Sequence, residues 1–279
     1  MYPVLFRFPE SIPLIGGVAL NSFGVMLAMS FLVGARMVQK HLDREGYDGE
    51  KGWDVAFIGL IGGLIGAKLY WVFSQPARLA ADPLGTLFSG TGLTWYGGFG
   101  LGLVAFWWAM RRAKLPIPVG LDALGLGLPL AIAVGRVGCF LAGDDYGRPT
   151  GSALGVRFPE GFPPTTVEVL QSRFGVTVDP DLVERFGNVI PVHPTQLYEV
   201  AISLLVFAVI ATRKSGQQAG WLFALWLTLY GVQRFVVEGL RLNARVFLGL
   251  TVAQLISVAL FGAGLYYLSR LRTRSAATS

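Results

Sequence analysis

The sequence predicts an all-α polytopic membrane protein with seven transmembrane helices, oriented N-out/C-in, and a small extracytoplasmic cap between helices 4 and 5. Of its 279 residues, 53% are hydrophobic and only 14% are charged, and the mean hydropathy is +0.56. A soluble domain carries about a quarter charged residues. This composition excludes a disordered chain, a nucleic-acid-binding basic protein and an ordinary cytosolic enzyme. One cysteine, Cys139, excludes an internal disulfide, and two histidines argue against a histidine-rich metal site.

Each predicted span is an apolar stretch of about 20 residues, which is the length needed to cross the hydrocarbon core. Three of these stretches carry no charge: Ser11–Ala35, Gly90–Met110 and Val246–Leu268. The other four contain one or two ionisable residues: Val55–Pro76 with Lys68, Ala123–Gly143 with Arg136, Pro194–Thr212 with Glu199, and Ala219–Gly239 with Arg234 and Glu238. Glycines at small-xxx-small spacing, such as Gly62 and Gly66, predict close helix packing.

Basic residues assign the orientation, because short cytoplasmic loops are enriched in lysine and arginine. With the N-terminus outside, the inside loops and tail hold Arg36, Lys40, Arg44, Lys51, Arg111, Arg112, Lys114, Arg213, Lys214, Arg270, Arg272 and Arg274. The short outside loops hold only Arg7, Arg78, Arg241 and Arg245. Residues 146–192 form the one long connection, with an amphipathic stretch at Thr166–Phe174. We expect this segment to be a cap that is too small for a core of its own, within a single membrane domain spanning residues 1–279.

In this orientation, the ionisable residues of the spans all fall in their outer halves or at their outer ends. They are Lys68, Tyr96, Arg136, Asp144, Asp145, His193, Glu199, Arg234, Glu238 and Arg241. A buried arginine costs at least about 2.5 kcal/mol on insertion scales, so such residues are usually paired and functional. Tyr230, Arg234, Glu238 and Arg241 follow a helical spacing that keeps them near one face. Two guanidiniums from different helices are suited to bidentate phosphate binding.

The positions alone predict an anion site in the outer leaflet that lipid can reach. The alternative is that Arg136–Glu199 and Arg234–Glu238 are buried ion pairs that only hold helices together. Three cations at one level exceed what packing requires, and this favours the anion site.

Four motifs carry a family resemblance. They are Tyr96-Gly-Gly-Phe-Gly100, Gly135-Arg-Val-Gly-Cys-Phe-Leu-Ala-Gly-Asp-Asp-Tyr-Gly-Arg148, His193-Pro-Thr-Gln-Leu-Tyr-Glu199 and Tyr230-Gly-Val-Gln-Arg-Phe-Val-Val-Glu238. In order, spacing and predicted topology, they resemble the bacterial prolipoprotein diacylglyceryl transferases over essentially the whole chain.

The resemblance implies an activity and a location. Members of this family move the diacylglyceryl group of phosphatidylglycerol onto the thiol of a lipobox cysteine in a prolipoprotein, and glycerol 1-phosphate leaves. The nucleophile is the substrate's cysteine, so the enzyme needs none. We expect a multi-pass protein of the bacterial inner membrane that faces the outer leaflet with its active site. We expect it to act as a monomer on these two partners, with no nucleic acid, metal or cofactor.

The resemblance also suggests roles for residues. Arg136 is expected to bind the lipid phosphate, with Arg234 as the second essential arginine. The catalytic candidates are Arg136, Arg234, Tyr96, His193 and Asp144. The candidates for phosphatidylglycerol binding are Arg136, Arg234, Cys139, Gly147, Tyr230, Glu238 and Arg241. Glu199 and Lys68 are expected to brace the site.

Four positions depart from the family pattern. Cys139 replaces the usual asparagine, Asp144 the usual glutamate, Tyr96 a histidine found in many members, and Phe23 an expected tyrosine. Tyrosine, with an ordinary pKa of about 10, is a poorer base than histidine. His193 is either a turn-stabilising hydrogen-bonding group or the base that accepts the thiol proton. Cys139 as an enzyme nucleophile is disfavoured, since no histidine lies near it in the sequence.

Three other functions can be compared with these features of the sequence. The first is an inactive or altered paralogue that binds anionic lipid. A transporter would need polar groups in the inner halves of the spans, which the sequence lacks. An aspartyl protease would need carboxylates on facing segments, whereas Asp144 and Asp145 are adjacent.

Overall fold

The computed structural model describes residues 3–12, 17, 19–87, 94–213 and 218–277. Seven long helices run through these ranges: α1 Ser22–Arg44, α2 Glu50–Phe73, α5 Trp95–Arg112, α6 Ile117–Ala142, α9 Thr195–Ala211, α10 Trp221–Glu238 and α11 Val252–Ala277. Four shorter helices lie between them: α3 Pro76–Ala81, α4 Pro83–Leu87, α7 Val167–Phe174 and α8 Pro180–Phe186. Two small antiparallel hairpins pair β1 Val4–Arg7 with β2 Ala19–Asn21 and β3 Arg245–Phe247 with β4 Leu250–Thr251.

Several of the long helices have the length and composition of membrane spans. Four meet both criteria: Ser22–Arg44, Glu50–Phe73, Ile117–Ala142 and Val252–Leu271. Thr195–Ala211 is a shorter apolar helix. The protein is therefore a mainly helical membrane protein. The number of seven spans and the N-out/C-in orientation stay predictions.

The first predicted span is displaced along the chain. Helix α1 begins at Ser22 rather than Ser11, because Ala19–Asn21 pairs with Val4–Arg7 as a strand. It then continues beyond Ala35 to Arg44, so three cations assigned to a loop lie on the helix. Residues 13–16 and 18 of this span, and residues 90–93 of the third, lie outside the described residues.

The last span also begins later than predicted. Residues 245–251 form the β3–β4 hairpin, so α11 starts at Val252 instead of Val246. Leu248 and Gly249 both have positive φ, 47° and 74°, as a tight two-residue turn requires. The Arg245 guanidinium donates to the Gly249 carbonyl at 2.6 Å and closes the turn.

The chain divides into two compact units, one of Met1–Gly34 with Gly125–Ser279 and one of Ala35–Leu124. In the second unit, α2 packs closely along α5. A Cβ atom on Gly62 would overlap the Ala105 side chain, and one on Gly66 would overlap the Gly97 carbonyl oxygen. The small-xxx-small spacing therefore does mark a close helix contact, as predicted.

We expect Gly66→Val to lower the thermal unfolding temperature of the purified protein, because the new side chain meets backbone atoms that cannot rotate away. Overpacking of this kind typically costs about 1–3 kcal/mol. Gly59→Val is the matched control on the same helix, since a Cβ there meets nothing within 4 Å. Equal unfolding temperatures for the two variants would contradict this packing.

The segment 146–192 has a hydrophobic core, and the expectation that it lacks one is wrong. Tyr146, Phe158, Leu170, Val178, Ile190 and Val192 are buried together. Its aromatic rings contact one another: Tyr146 stacks on Phe158 with 5.7 Å between ring centroids, and its centroid lies 6.1 Å from that of the partly buried Phe174. Helix α7 confirms the predicted amphipathic stretch, with the Thr166 hydroxyl capping its first turn. Helix α8 was not predicted.

In the first unit, α6, α9 and α10 share an apolar cluster of Leu126, Val206, Ile210 and Trp226. Gln233 on α10 donates to the Ser203 hydroxyl on α9 at 2.7 Å, within the buried interior. On α1, the Ser30 hydroxyl donates to the Ala131 carbonyl of α6 at 2.7 Å. These contacts fix the three helices that carry the charged side chains described next.

Candidate active site

Three arginines and three carboxylates converge in the first unit. Arg136 comes from α6, Glu199 from α9, and Arg234 and Glu238 from α10. Arg241 lies in the loop after α10 and Asp145 in the loop after α6. We call these six residues the arginine–carboxylate cluster: Arg136, Asp145, Glu199, Arg234, Glu238 and Arg241. All of them except Asp145 were predicted from the sequence as site residues; Asp145 was predicted only to lie at the outer end of the fourth span.

Glu199 is the centre of the cluster. One of its carboxylate oxygens pairs with Nε of Arg136, and the other lies 3.2 Å from Nη1 of Arg234 and 3.5 Å from Nη1 of Arg241. Its side chain is only 5% exposed. Glu199 thus contacts all three guanidiniums, whereas the ion-pair alternative assigned it to Arg136 alone.

Glu238 anchors the opposite side of Arg234. Its Oε2 lies 3.0 Å from Nη2 of Arg234, one helical turn away, and 3.9 Å from Nε of Arg241. Its Oε1 accepts hydrogen bonds from Asn243 at 2.7 Å and from the Thr251 hydroxyl at 3.0 Å. The buried carboxylate therefore ties the end of α10 to the loop before α11. Arg241 lies beyond the helix, and its guanidinium folds back onto Glu238.

Asp145 was not predicted as a site residue, whereas its neighbour Asp144 was. One carboxylate oxygen lies 2.7 Å from Nη1 of Arg136 and the other pairs with Nη2 of Arg241. Its backbone φ is 64°, the left-handed region that few residues other than glycine adopt. Burial raises the pKa of the Asp145 carboxyl, but the guanidiniums of Arg241 and Arg136 outweigh it, and the pKa lies below its ordinary value. A charge count predicts a third carboxylate beside three arginines and two glutamates, but it does not distinguish Asp145 from Asp144.

The motifs Gly135–Arg148 and His193–Glu199 pack against each other and hold this turn. The Gly147 amide donates to the His193 carbonyl at 2.9 Å, and the His193 amide donates to the Arg148 carbonyl at 3.0 Å. The Thr195 hydroxyl donates to the Asp145 carbonyl at 2.8 Å, and the Gln196 amide donates to the Asp144 carbonyl at 2.6 Å. A Cβ on Gly147 would lie 2.7 Å from the Leu240 carbonyl oxygen, so only glycine fits here without a shift.

Asp144 and Cys139 lie at the edge of the cluster. Burial raises the pKa of the Asp144 carboxyl, and the neighbouring Asp145 charge adds to the increase. The Cys139 thiol is buried, 3.8 Å from Nη1 of Arg136, in the position where the family pattern has asparagine. The predicted roles of both residues stay predictions.

His193 and Tyr230 make ring contacts beside the cluster. Nδ1 of His193 lies 3.2 Å from the Tyr198 hydroxyl, five residues along the chain. This is the local contact expected of a turn-stabilising histidine. Tyr230 stacks on Trp226 at 5.1 Å between ring centroids, one turn before Arg234.

Tyr96 and Lys68 belong to the second unit. Tyr96 is 59% exposed, and its ring centroid lies 6.4 Å from that of Tyr70. The Lys68 ammonium lies 4.7 Å over the ring of Trp71. Their predicted roles, as a catalytic candidate and as a brace, stay predictions.

A polar groove of about 980 Å³ opens beside Arg241. One side comes from residues 148–151, another from residues 174–185, and the third from the loop 241–245. Its charged lining residues are Arg148, Asp179, Asp181, Arg185, Arg241 and Arg245. Arg241 lines this groove and is also a member of the cluster, so the groove adjoins the cluster at this residue.

The cluster has the chemistry of a phosphate site. The side chains of Arg136 and Arg234 remain 20% and 19% exposed, so a ligand can reach two guanidiniums held by buried carboxylates. Guanidiniums bind phosphate through paired N–H groups, and fixed positive charge stabilises a leaving phosphate.

Comparison with known proteins identifies relatives over nearly the whole chain. The family model described as prolipoprotein diacylglyceryl transferase matches residues 9–270. A phosphatidylglycerol–prolipoprotein diacylglyceryl transferase of Thermus thermophilus is 30% identical, with 92% of this chain and 96% of the relative covered. Proteins of the same name from Clostridium tetani and Stenotrophomonas maltophilia are each 28% identical, covering 88% and 91% of this chain and 87% and 88% of their own lengths.

Proposed function

Because the chain belongs to the prolipoprotein diacylglyceryl transferase family, and is therefore a transferase, we propose that it lipidates prolipoproteins. It transfers the diacylglyceryl group of phosphatidylglycerol to the thiol of a lipobox cysteine, the first step of lipoprotein maturation. The observation that carries this proposal is the convergence of three guanidiniums from α6, α10 and the following loop. This constellation is suited to an anionic phospholipid headgroup within the membrane.

The reaction exchanges one bond for another at a glycerol carbon of the lipid. The sulfur of the substrate cysteine attacks the carbon that bears the phosphate ester. A carbon–sulfur thioether bond forms as the carbon–oxygen bond breaks, and glycerol 1-phosphate leaves with the bonding electrons. Arg136 binds the phosphate, and Arg234 and Arg241 in the same cluster stabilise the charge that grows on it.

The thiol must lose its proton, because the thiolate is the reactive form. We assign this role to Asp144, which lies at the edge of the cluster. Its pKa is raised by burial and by the Asp145 charge, so its carboxylate is a stronger base than an exposed aspartate. The contact between His193 and Tyr198 supports a structural role for that histidine. Tyr96 remains the third candidate.

We place the protein in the bacterial inner membrane, N-out/C-in and multi-pass, as a monomer. The cluster then lies at the level of the outer leaflet. Phosphatidylglycerol enters sideways from the lipid, and its two acyl chains stay in the hydrocarbon while the headgroup reaches the arginines.

The groove beside Arg241 is the site we assign to the part of the prolipoprotein that follows the acceptor cysteine. That part is hydrophilic and lies on the aqueous side when the cysteine is at the cluster. A volume of about 980 Å³ accommodates several residues of extended chain. Three exposed arginines, at 148, 185 and 245, line it together with two aspartates, so the groove favours polar and acidic side chains.

We expect Arg185→Glu to raise KM roughly fivefold for a lipobox peptide that extends ten residues past the cysteine, because an exposed charge contact is worth about 1 kcal/mol. KM for a peptide that ends directly after the cysteine should not change. Arg157→Glu is the control, since Arg157 is an exposed arginine of the same segment outside the groove lining. An equal KM change for both peptides would contradict this assignment.

The proposed activity is tested by mass spectrometry of a lipobox peptide incubated with the purified protein and phosphatidylglycerol. We expect a mass gain of one diacylglyceryl group on the cysteine, with stoichiometric release of glycerol 1-phosphate. A peptide with serine in place of the cysteine should gain nothing. No gain from folded protein that still binds the lipid would instead identify a lipid-binding paralogue that has lost catalysis.

A further inference from the structure

We propose that the Asp145 carboxylate occupies the position of the lipid phosphate, and that phosphatidylglycerol binds by displacing it. Asp145 then sets the affinity for anionic lipid. The inference rests on the proposed function for the identity of the lipid, but the displacement itself concerns any anion that binds Arg136 and Arg241. Its basis is the contact of one carboxylate with both guanidiniums.

The charges of the cluster are balanced without a ligand. Three arginines face three carboxylates, and every carboxylate contacts at least two of the arginines. Adding a phosphodiester would leave the cluster with one excess negative charge in a poorly solvated site, which is strongly unfavourable. One carboxylate must therefore leave the guanidiniums or take up a proton when an anionic lipid binds.

Burial identifies the carboxylate that can leave. The side chains of Glu199 and Glu238 are 5% and 0% exposed, whereas that of Asp145 is 38% exposed. Glu238 is also held by hydrogen bonds from Asn243 and Thr251. Of the three carboxylates, that of Asp145 is the one that reaches water, so it regains hydration when it leaves the arginines.

Only the side chain of Asp145 has to move in this exchange, because the backbone around it is held in place. Hydrogen bonds from Thr195 and Gln196 hold the carbonyls of Asp145 and Asp144, so the turn stays in place. Rotation about the Cα–Cβ bond is enough to withdraw the carboxylate. The two guanidinium nitrogens it releases, on Arg136 and Arg241, then face two oxygens of the incoming phosphate.

Competition with the Asp145 carboxylate also sets a minimum negative charge that a ligand must carry in order to bind. A headgroup must bring at least one net negative charge and two acceptor oxygens to replace what Asp145 supplies. Phosphatidylglycerol meets this condition. A zwitterionic lipid brings its own cation beside the arginines and competes poorly with the carboxylate.

The test is the affinity for phosphatidylglycerol after removal of the Asp145 charge. We expect Asp145→Asn to lower both the dissociation constant for phosphatidylglycerol in mixed micelles and the KM for this lipid roughly tenfold, since a charged hydrogen bond no longer competes. Asp145→Gly should do the same, because glycine adopts the positive φ of this turn without strain. Binding of phosphatidylcholine should change far less.

Glu160→Gln, which neutralises an exposed carboxylate away from the cluster, is the control and should leave both constants unchanged. Weaker or unaltered phosphatidylglycerol binding by both Asp145 variants, with unfolding temperatures near that of the parent protein, would overturn the proposal. A fall in unfolding temperature with weaker binding would also overturn it, since Asp145 would then be a brace. Tighter lipid binding without any transfer to peptide would support displacement and refute the proposed activity.

Discussion

Replacement of Arg136 by alanine is expected to reduce transfer of the diacylglyceryl group roughly 10³-fold, because a fixed positive charge at the departing phosphate is lost. Arg136 is the residue of α6 that contacts both Glu199 and Asp145, and its side chain stays 20% exposed to a ligand. The loss should appear in kcat/KM for phosphatidylglycerol, measured by release of glycerol 1-phosphate.

Arg136→Lys separates the effect of the positive charge from that of the paired N–H contacts with the phosphate. Lysine keeps the charge but cannot form paired N–H contacts with one phosphate, so we expect an intermediate rate. Arg157→Ala, on the exposed surface of the 146–192 segment, is the control for loss of an arginine. Transfer by Arg136→Ala within a few-fold of the parent rate would contradict the phosphate role.

Replacement of Glu199 by alanine is expected to be the most destabilising single change in the cluster. It would leave three guanidiniums close together without their shared buried partner, and removing one member of a buried ion pair costs about 3–5 kcal/mol. We expect a large drop in unfolding temperature and loss of transfer. Glu199→Gln keeps a hydrogen-bonding oxygen but not the charge, so its unfolding temperature should lie between those of Glu199→Ala and the parent protein.

The comparison for Glu199→Ala is Glu184→Ala, which removes an exposed glutamate of α8. That variant should keep the parent unfolding temperature and activity. An unfolding temperature for Glu199→Ala equal to that of Glu184→Ala would show that Asp145 and Glu238 hold the arginines without Glu199, contrary to the contacts described above.

The sequence predicted the cluster because an apolar span tolerates an ionisable residue only where a partner compensates it. Arg136, Glu199, Arg234 and Glu238 were found by this rule alone, before any motif was considered. Asp145 was not found, because its adjacent neighbour Asp144 matched the motif. The choice between them depends on a left-handed backbone turn held by Thr195 and Gln196, and no periodicity reveals it.

Helix boundaries were predicted best where a residue such as proline marks the start or the end of the helix. Pro194 marks the start of α9 within one residue of the predicted position. No residue of this kind lies near Ala35. There α1 continues as a partly buried helix to Arg44, through residues whose charges predicted a basic loop. The core of residues 146–192 was missed since its six buried residues are scattered along the segment without a period.

The most direct test of the central claim, that the arginine–carboxylate cluster binds the phosphate of an anionic lipid, is native mass spectrometry of the protein with bound lipid. We expect the parent protein to retain phosphatidylglycerol in preference to phosphatidylcholine, to release it when glycerol 1-phosphate is added, and to lose this preference in Arg136→Ala. Equal retention of both lipids by the parent protein, unaffected by glycerol 1-phosphate, would contradict the account.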